Sequence, residues 1–94
     1  MKCVILGNWT EQGRKTLKDL KKRFQDTQNL IEKQNGSMTA YFTMGEYDFV
    51  MIVDMPNDDG VVKALMKMYT RGNATTTTLK VLTDSEFMKM ISEM

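Results

Sequence analysis

The sequence has no histidine, one cysteine (Cys3) and one proline (Pro56) in 94 residues. Without histidine there is no Ser-His or Cys-His nucleophile system, no imidazole proton shuttle and no histidine metal ligand. One thiol forms no intrachain disulfide, which fits a reducing compartment, and it falls short of a structural zinc site. Any acid-base chemistry is left to carboxylates, lysine, tyrosine or Cys3. The formal net charge is +1, so there is no global electrostatic case for a nucleic-acid or membrane partner. No apolar run approaches the roughly 20 residues that span a bilayer. The N-terminal run, Cys3 to Leu6, is too short for the apolar core of a signal peptide. The expectation is a cytoplasmic protein with neither metal nor cofactor, built as a single domain over residues 1–94.

What is present is organised around Gly45 to Pro56. Phe49 to Asp54 is short, β-branched and apolar, and it is bounded by Gly45 and Pro56, as a buried strand is. Tyr47, Phe49, Met51 and Val53 alternate with Asp48, Val50, Ile52 and Asp54. Both faces are apolar in the middle, so each needs a cover. Lys2 to Trp9 reads the same way, with Val4 and Leu6 opposite Cys3, Ile5, Gly7 and Trp9. Gly7 leaves room there for a close neighbour or a small cavity.

Thr10 is placed to cap a helix running to about Asn35, with Leu17, Leu20, Phe24, Thr27 and Ile31 on one stripe. Gly36 suits a left-handed position at its end. Ser37 to Met44 forms a second strand, joined to the next by a tight hairpin at Gly45-Glu46. Asn57 or Asp58 caps a second helix, whose inner stripe is Val61 or Val62, Leu65, Met68 and Tyr69, and Gly72-Asn73 closes it. Ala74 to Leu82, with four consecutive threonines, favours strand. Thr83 and Glu86 form a capping box for a short last helix, in which Phe87, Met90 and Ile91 are placed to dock.

The order βαββαβ plus a terminal helix specifies an α+β fold. It predicts a ferredoxin-like antiparallel sheet with both main helices on one face. Val4, Leu6, Ala40, Phe42, Val50, Ile52, Leu79 and Val81 are assigned to the helix-covered side. Cys3, Ile5, Trp9, Tyr41, Phe49, Met51 and Val53 are assigned to the bare side, with Thr39, Thr43, Thr76 and Thr78 around them. An apolar patch of that size exceeds what a soluble monomer normally shows, so a homodimer or higher oligomer through the bare face is expected.

Four sets of residues carry the remaining signal. The carboxylate of Asp48, beside Glu46 and Tyr47, can anchor a turn, bind a small polar ligand or move a proton. Trp9, Thr10 and Gly13 lie where a strand passes into a helix, and backbone N–H groups there can hold an anion or simply be capped. Gly13 within the first turns calls for close packing or a ligand. Cys3 reads as a small buried hydrophobe. The Arg14 to Arg23 run, broken by Asp19, reads as a solvated helix face.

The chain resembles the GYD-domain family of the dimeric α/β-barrel group. The matching residues are Gly7-Asn8-Trp9-Thr10-Glu11-Gln12-Gly13, Gly45-Glu46-Tyr47-Asp48, Met55-Pro56-Asn57-Asp58, Gly72-Asn73 with Thr75 to Thr78, and Thr83, Glu86 and Phe87. The resemblance implies a ferredoxin-like fold, a dimeric α/β barrel and self-association, and no particular reaction. Together with the residue reading it suggests a homo-oligomeric module for small-ligand binding, protein interaction or regulation. The candidate ligand-binding set is Trp9, Thr10, Tyr41, Glu46, Tyr47 and Asp48. One alternative is a small cofactor-free enzyme, a monooxygenase or isomerase, of the dimeric α/β-barrel group. Another is a stand-alone effector-binding domain like that of leucine-responsive-type regulators, without its DNA-reading helices.

Overall fold

The computed structural model describes residues 1–94. Strand β1 (Lys2–Trp9) leads into a short helix α1 (Glu11–Lys15), a 3-10 turn (Leu17–Asp19) and helix α2 (Leu20–Lys33). Strands β2 (Ser37–Phe42) and β3 (Phe49–Asp54) follow, then α3 (Asp58–Arg71), β4 (Ala74–Lys80) and α4 (Asp84–Ser92). The four strands lie in the order β2-β3-β1-β4. Every neighbouring pair is antiparallel. This α+β arrangement is compatible with a ferredoxin-like split βαβ sheet.

The first helix is not the continuous one that the sequence led us to expect. It breaks at Thr16, whose backbone leaves the helical region (φ −113°, ψ 27°). The Thr16 hydroxyl donates back to the Gln12 carbonyl at 2.8 Å. Its own carbonyl accepts from Arg23 Nη1 at 2.8 Å. The same carbonyl accepts the Asp19 N–H at 3.0 Å, so the turn that follows the break keeps a local bond and Arg23 adds a second. Gly13, just before the break, is fixed by close approach: a Cβ there would collide with the Asn73 carbonyl oxygen.

Several other ends also moved. The left-handed residue after α2 is Asn35 (φ 62°), not Gly36. Gly36 is required instead because a Cβ would strike Met55 Sδ, with the Asp54 carbonyl only 3.0 Å away. Strands β2 and β4 end two residues early, at Phe42 and Lys80. The β2–β3 connection is wider than a tight hairpin and closes through Thr43 N–H to the Asp48 carbonyl at 2.9 Å. The caps at Asn57 and Thr83 form as expected.

The main correction concerns which side of the sheet the helices cover. The buried core joins Cys3, Ile5, Phe49, Met51 and Val53 to Ile31 of α2 and to Val61 and Ala64 of α3. These strand residues were assigned to the bare face. Strands β1, β3 and β4 therefore present their other sides to the helices, and Val4, Leu6, Val50, Ile52 and Leu79 lie on the open face. Strand β2 sits as expected, with Met38 and Ala40 packed on the core. Its register decides the matter: Ala40 opposes Met51 and Phe42 opposes Phe49. The side that carries Ala40 must carry Phe49, because directly opposed residues share a face. Thr76 and Thr78 face the helices too, opposite Gly7 and Ile5. On α3 the inner stripe includes Ala64, while Tyr69 is half-exposed and hydrogen-bonds Thr76 at 3.0 Å.

Helix α4 does not dock on its own chain. Phe87 is 51% exposed and Ile91 46%. The radius of gyration is 14.7 Å, against about 12 Å for a compact domain of this length. No helix is long and apolar enough to cross a membrane.

Ile31 is almost fully buried, whereas Leu20 and Phe24 are only partly so. Ile31→Ala should cost about 2–5 kcal/mol in denaturant unfolding, as large-to-small core changes do. Phe24→Ala should cost less, and Lys18→Ala and Lys22→Ala should stay within about 0.5 kcal/mol. A larger loss at either lysine than at Ile31 would contradict this packing.

Candidate functional site

The strongest feature is an apolar pocket on the helix side of the sheet. Its floor comes from β1, β2 and β3: Trp9, Ala40, Phe42, Phe49 and Met51. Leu20, Arg23, Phe24 and Thr27 of α2 form one wall, and Met68 and Arg71 of α3 form another. Asn73 and Ala74 close the end. The cavity measures about 60 Å³.

Gly7 and Phe49 build this floor. They are directly opposed in the β1–β3 ladder. The Phe49 ring occupies the space above Gly7, where any Cβ would collide with it. This seats Trp9 against Phe49 with ring centroids 4.8 Å apart. Phe42 also stacks against Trp9, at 6.3 Å, and Phe24 meets Phe42 at 6.1 Å. Arg23 lies over Trp9, its Cζ 5.9 Å from the ring centroid, within cation–π range.

Asp48 holds the edge of this cluster from behind. Its carboxylate accepts the Trp9 backbone N–H at 2.8 Å. Its own N–H donates to the Gly7 carbonyl at 2.9 Å. The side chain thus continues the β1–β3 ladder one step past the last backbone pair. The Asp48 carboxylate was expected to accept from its own turn; it accepts instead from β1, whose Trp9 N–H is the donor.

The other residues singled out from the sequence do not converge. Thr10 accepts from Gly13 N–H at 3.1 Å and donates to the Gly72 carbonyl at 2.7 Å, so its hydroxyl is committed to joining α1 to the end of α3. The Thr10 N–H is likewise committed, to the Asn73 carbonyl at 3.0 Å. Tyr41 is exposed on the open face of the sheet, opposite Val50 and away from the pocket. Glu46 is exposed in the β2–β3 loop. Tyr47 is half-buried there, its carbonyl taken by the Thr43 hydroxyl at 2.6 Å. Of the six, only Trp9 lines the pocket, with Asp48 bonded to its backbone.

Sequence reasoning missed Arg23 and Arg71 as site residues. Arg23 sat within a basic run that reads as solvated, and Arg71 read as part of a helix end. The signal available was position: Arg23 falls one residue before Phe24, and Arg71 three after Met68. Cys3 is fully buried in the core, and burial pushes its thiol upward. Nowhere do three or more thiol or carboxylate side chains gather as a metal site would require.

These features define a small α+β domain with one face of its sheet open and an aromatic pocket under its helices. The chain belongs to the GYD domain family, whose pattern matches residues 3–91. It is similar to a protein of Thermus thermophilus named glutamine synthetase and cystathionine beta-lyase binding protein. The two are 27% identical over 81 residues, which cover 84% of this chain and 85% of that one. No solved structure gives a significant match.

Removing Asp48 leaves the Trp9 N–H without its acceptor. Asp48→Ala should lower stability by about 1–3 kcal/mol, and Asp48→Asn, which keeps one acceptor oxygen, should recover part of that. Equal thermal stability of both variants and wild type would overturn the anchoring role. Cys3 should resist a thiol reagent in the native protein and react fully once denaturant unfolds it. Rapid native labelling would contradict its burial.

Proposed function

We propose that this GYD-domain protein is a self-associating interaction module, whose open sheet face is covered by a second copy and whose assembled form docks on other proteins. The observation that carries the proposal is the surface left without a partner within the chain. Val4, Leu6, Val50 and Ile52 occupy the middle of the open face. Half-exposed Tyr41 and Leu79 lie on the same side of the edge strands. Exposed apolar side chains at Phe87, Met90 and Ile91 continue the pattern on α4. A four-stranded antiparallel sheet with one solvated face normally alternates apolar with polar residues. Here β1 and β3 are apolar on both sides.

Covering a sheet face with another sheet at about 10 Å is a common way to bury such a surface. The Thermus thermophilus relative, named for binding two enzymes, supports protein binding as the use to which such a module is put. At that level of identity it supports the kind of partner and not the particular partner.

Sedimentation velocity at micromolar concentration tests the self-association. The wild type should run as a dimer or larger. Ile52→Lys, on the open face, should run as a folded monomer with unchanged circular dichroism. A wild-type monomer, or an Ile52→Lys variant that stays associated, would overturn the proposal.

A further inference from the structure

We propose that the pocket under α2 and α3 is a binding site for a small carboxylate with an apolar body, such as a single ring or a short branched chain. The proposal is independent of the self-association argued above.

Thirteen residues line the pocket, nine of them hydrophobic. The lining includes two guanidinium groups, Arg23 and Arg71, and no aspartate or glutamate. Two cations set in an apolar wall without an anion are an electrostatic imbalance that a ligand can correct. Neither arginine forms an ion pair. The ion pair in the structure joins Lys15 to Glu11 at 3.0 Å, on the surface of α1. Asp26 and Glu32 border the outer groove that Arg71 also touches, but form no ion pair with it.

Arg23 is held in place. Its Nη1 donates to the Thr16 carbonyl at 2.8 Å and to the Thr16 hydroxyl at 2.7 Å. Its Nη2 is buried and has no hydrogen-bond partner. Buried charged donors are almost always paired, so an orphan of this kind points to a missing acceptor. The closure of the helix break at Thr16 accounts for Nη1 and leaves Nη2 unexplained. Arg71 contributes a second donor group. Its Nη1 reaches the Thr27 hydroxyl only at 3.5 Å, the outer limit of a hydrogen bond. Thr27 in turn donates to the Arg23 carbonyl at 3.0 Å, which places the two arginines around one turn of α2.

The ligand class follows from these donors and walls. A planar guanidinium fork matches a carboxylate through paired hydrogen bonds, and the attraction gains strength in an apolar surround. Trp9, Phe24 and Phe42 offer ring faces and edges to an apolar body. The cavity of about 60 Å³ has room for about two waters at roughly 30 Å³ each, and is smaller than the ~150 Å³ that encloses benzene. A short branched chain therefore fits within it, and a ring enters edge-first with part of its face at the mouth.

Trp9 is the only tryptophan in the chain and lines the pocket, so its fluorescence reports occupancy. The full-length protein would be titrated with benzoate, with its neutral isostere benzamide and with phenyl phosphate. Benzoate should give a saturable change and bind about tenfold or more tighter than benzamide, as expected for charge-assisted pairing. Arg71→Gln, whose one contact is weak, should stay folded with an unchanged melting temperature and lose that preference. Arg23→Gln, if folded, should lose it as well. Three results would overturn the proposal: no saturable change with benzoate up to about 10 mM, equal binding of benzoate and benzamide, or an undiminished preference in folded Arg71→Gln. Tighter binding of phenyl phosphate than of benzoate would overturn the carboxylate assignment.

Discussion

The contact of Phe49 with Gly7 is the constraint on which the rest of the structure depends. A glycine in a central strand weakens that strand unless something fills its space. Here the Phe49 ring fills it. That contact fixes the β1–β3 register, directs Cys3, Ile5, Met51 and Val53 toward the helices, and brings Trp9 onto the Phe49 ring. Asp48 then ties the Trp9 backbone to the start of β3. The buried core, the aromatic floor of the pocket and the identity of the open face all follow from this pairing.

Much of the fold was legible because short-range chemistry determines it. The capping box at Thr83 and Glu86, the Asn57 cap and the left-handed Gly72 are each set within a few residues. The order of strands and helices was likewise visible in the periodicity. The side of the sheet that the helices cover was not. Val4 and Leu6 are as apolar as Cys3 and Ile5, and Val50 and Ile52 as apolar as Met51 and Val53. Alternation therefore could not choose between them. The pairing of Phe42 with Phe49 makes the choice, and it is a contact between strands. The same holds for the site. Arg23 belongs to the pocket through its contacts with Thr16 and Trp9, and Arg71 through its position at the far end of α3.

The two faces of the sheet emerge as different kinds of surface. The helix side covers an aromatic pocket edged by two arginines, and the open side is apolar in its middle, at Val4, Leu6, Val50 and Ile52. Membership of the GYD domain family and likeness to a protein named for binding two enzymes are in keeping with a small module whose role is to bind. We propose separate tasks for the two surfaces: association on the open side and ligand recognition under the helices. This separation also explains why Tyr41 and Trp9, grouped by sequence, do not work together. Tyr41 belongs to the first surface and Trp9 to the second.

The central claim is that the face carrying Val4, Ile52, Tyr41 and Leu79 is buried in the assembled protein. Hydroxyl-radical footprinting with mass spectrometry tests it directly. Met44 is fully exposed in the β2–β3 loop, whereas Tyr41 and Leu79 are half-exposed in the lone chain. At micromolar concentration Tyr41 and Leu79 should be protected while Met44 is oxidised, and dilution should restore the reactivity of Tyr41 and Leu79. Ready modification of Tyr41 and Leu79 at every concentration would contradict the account.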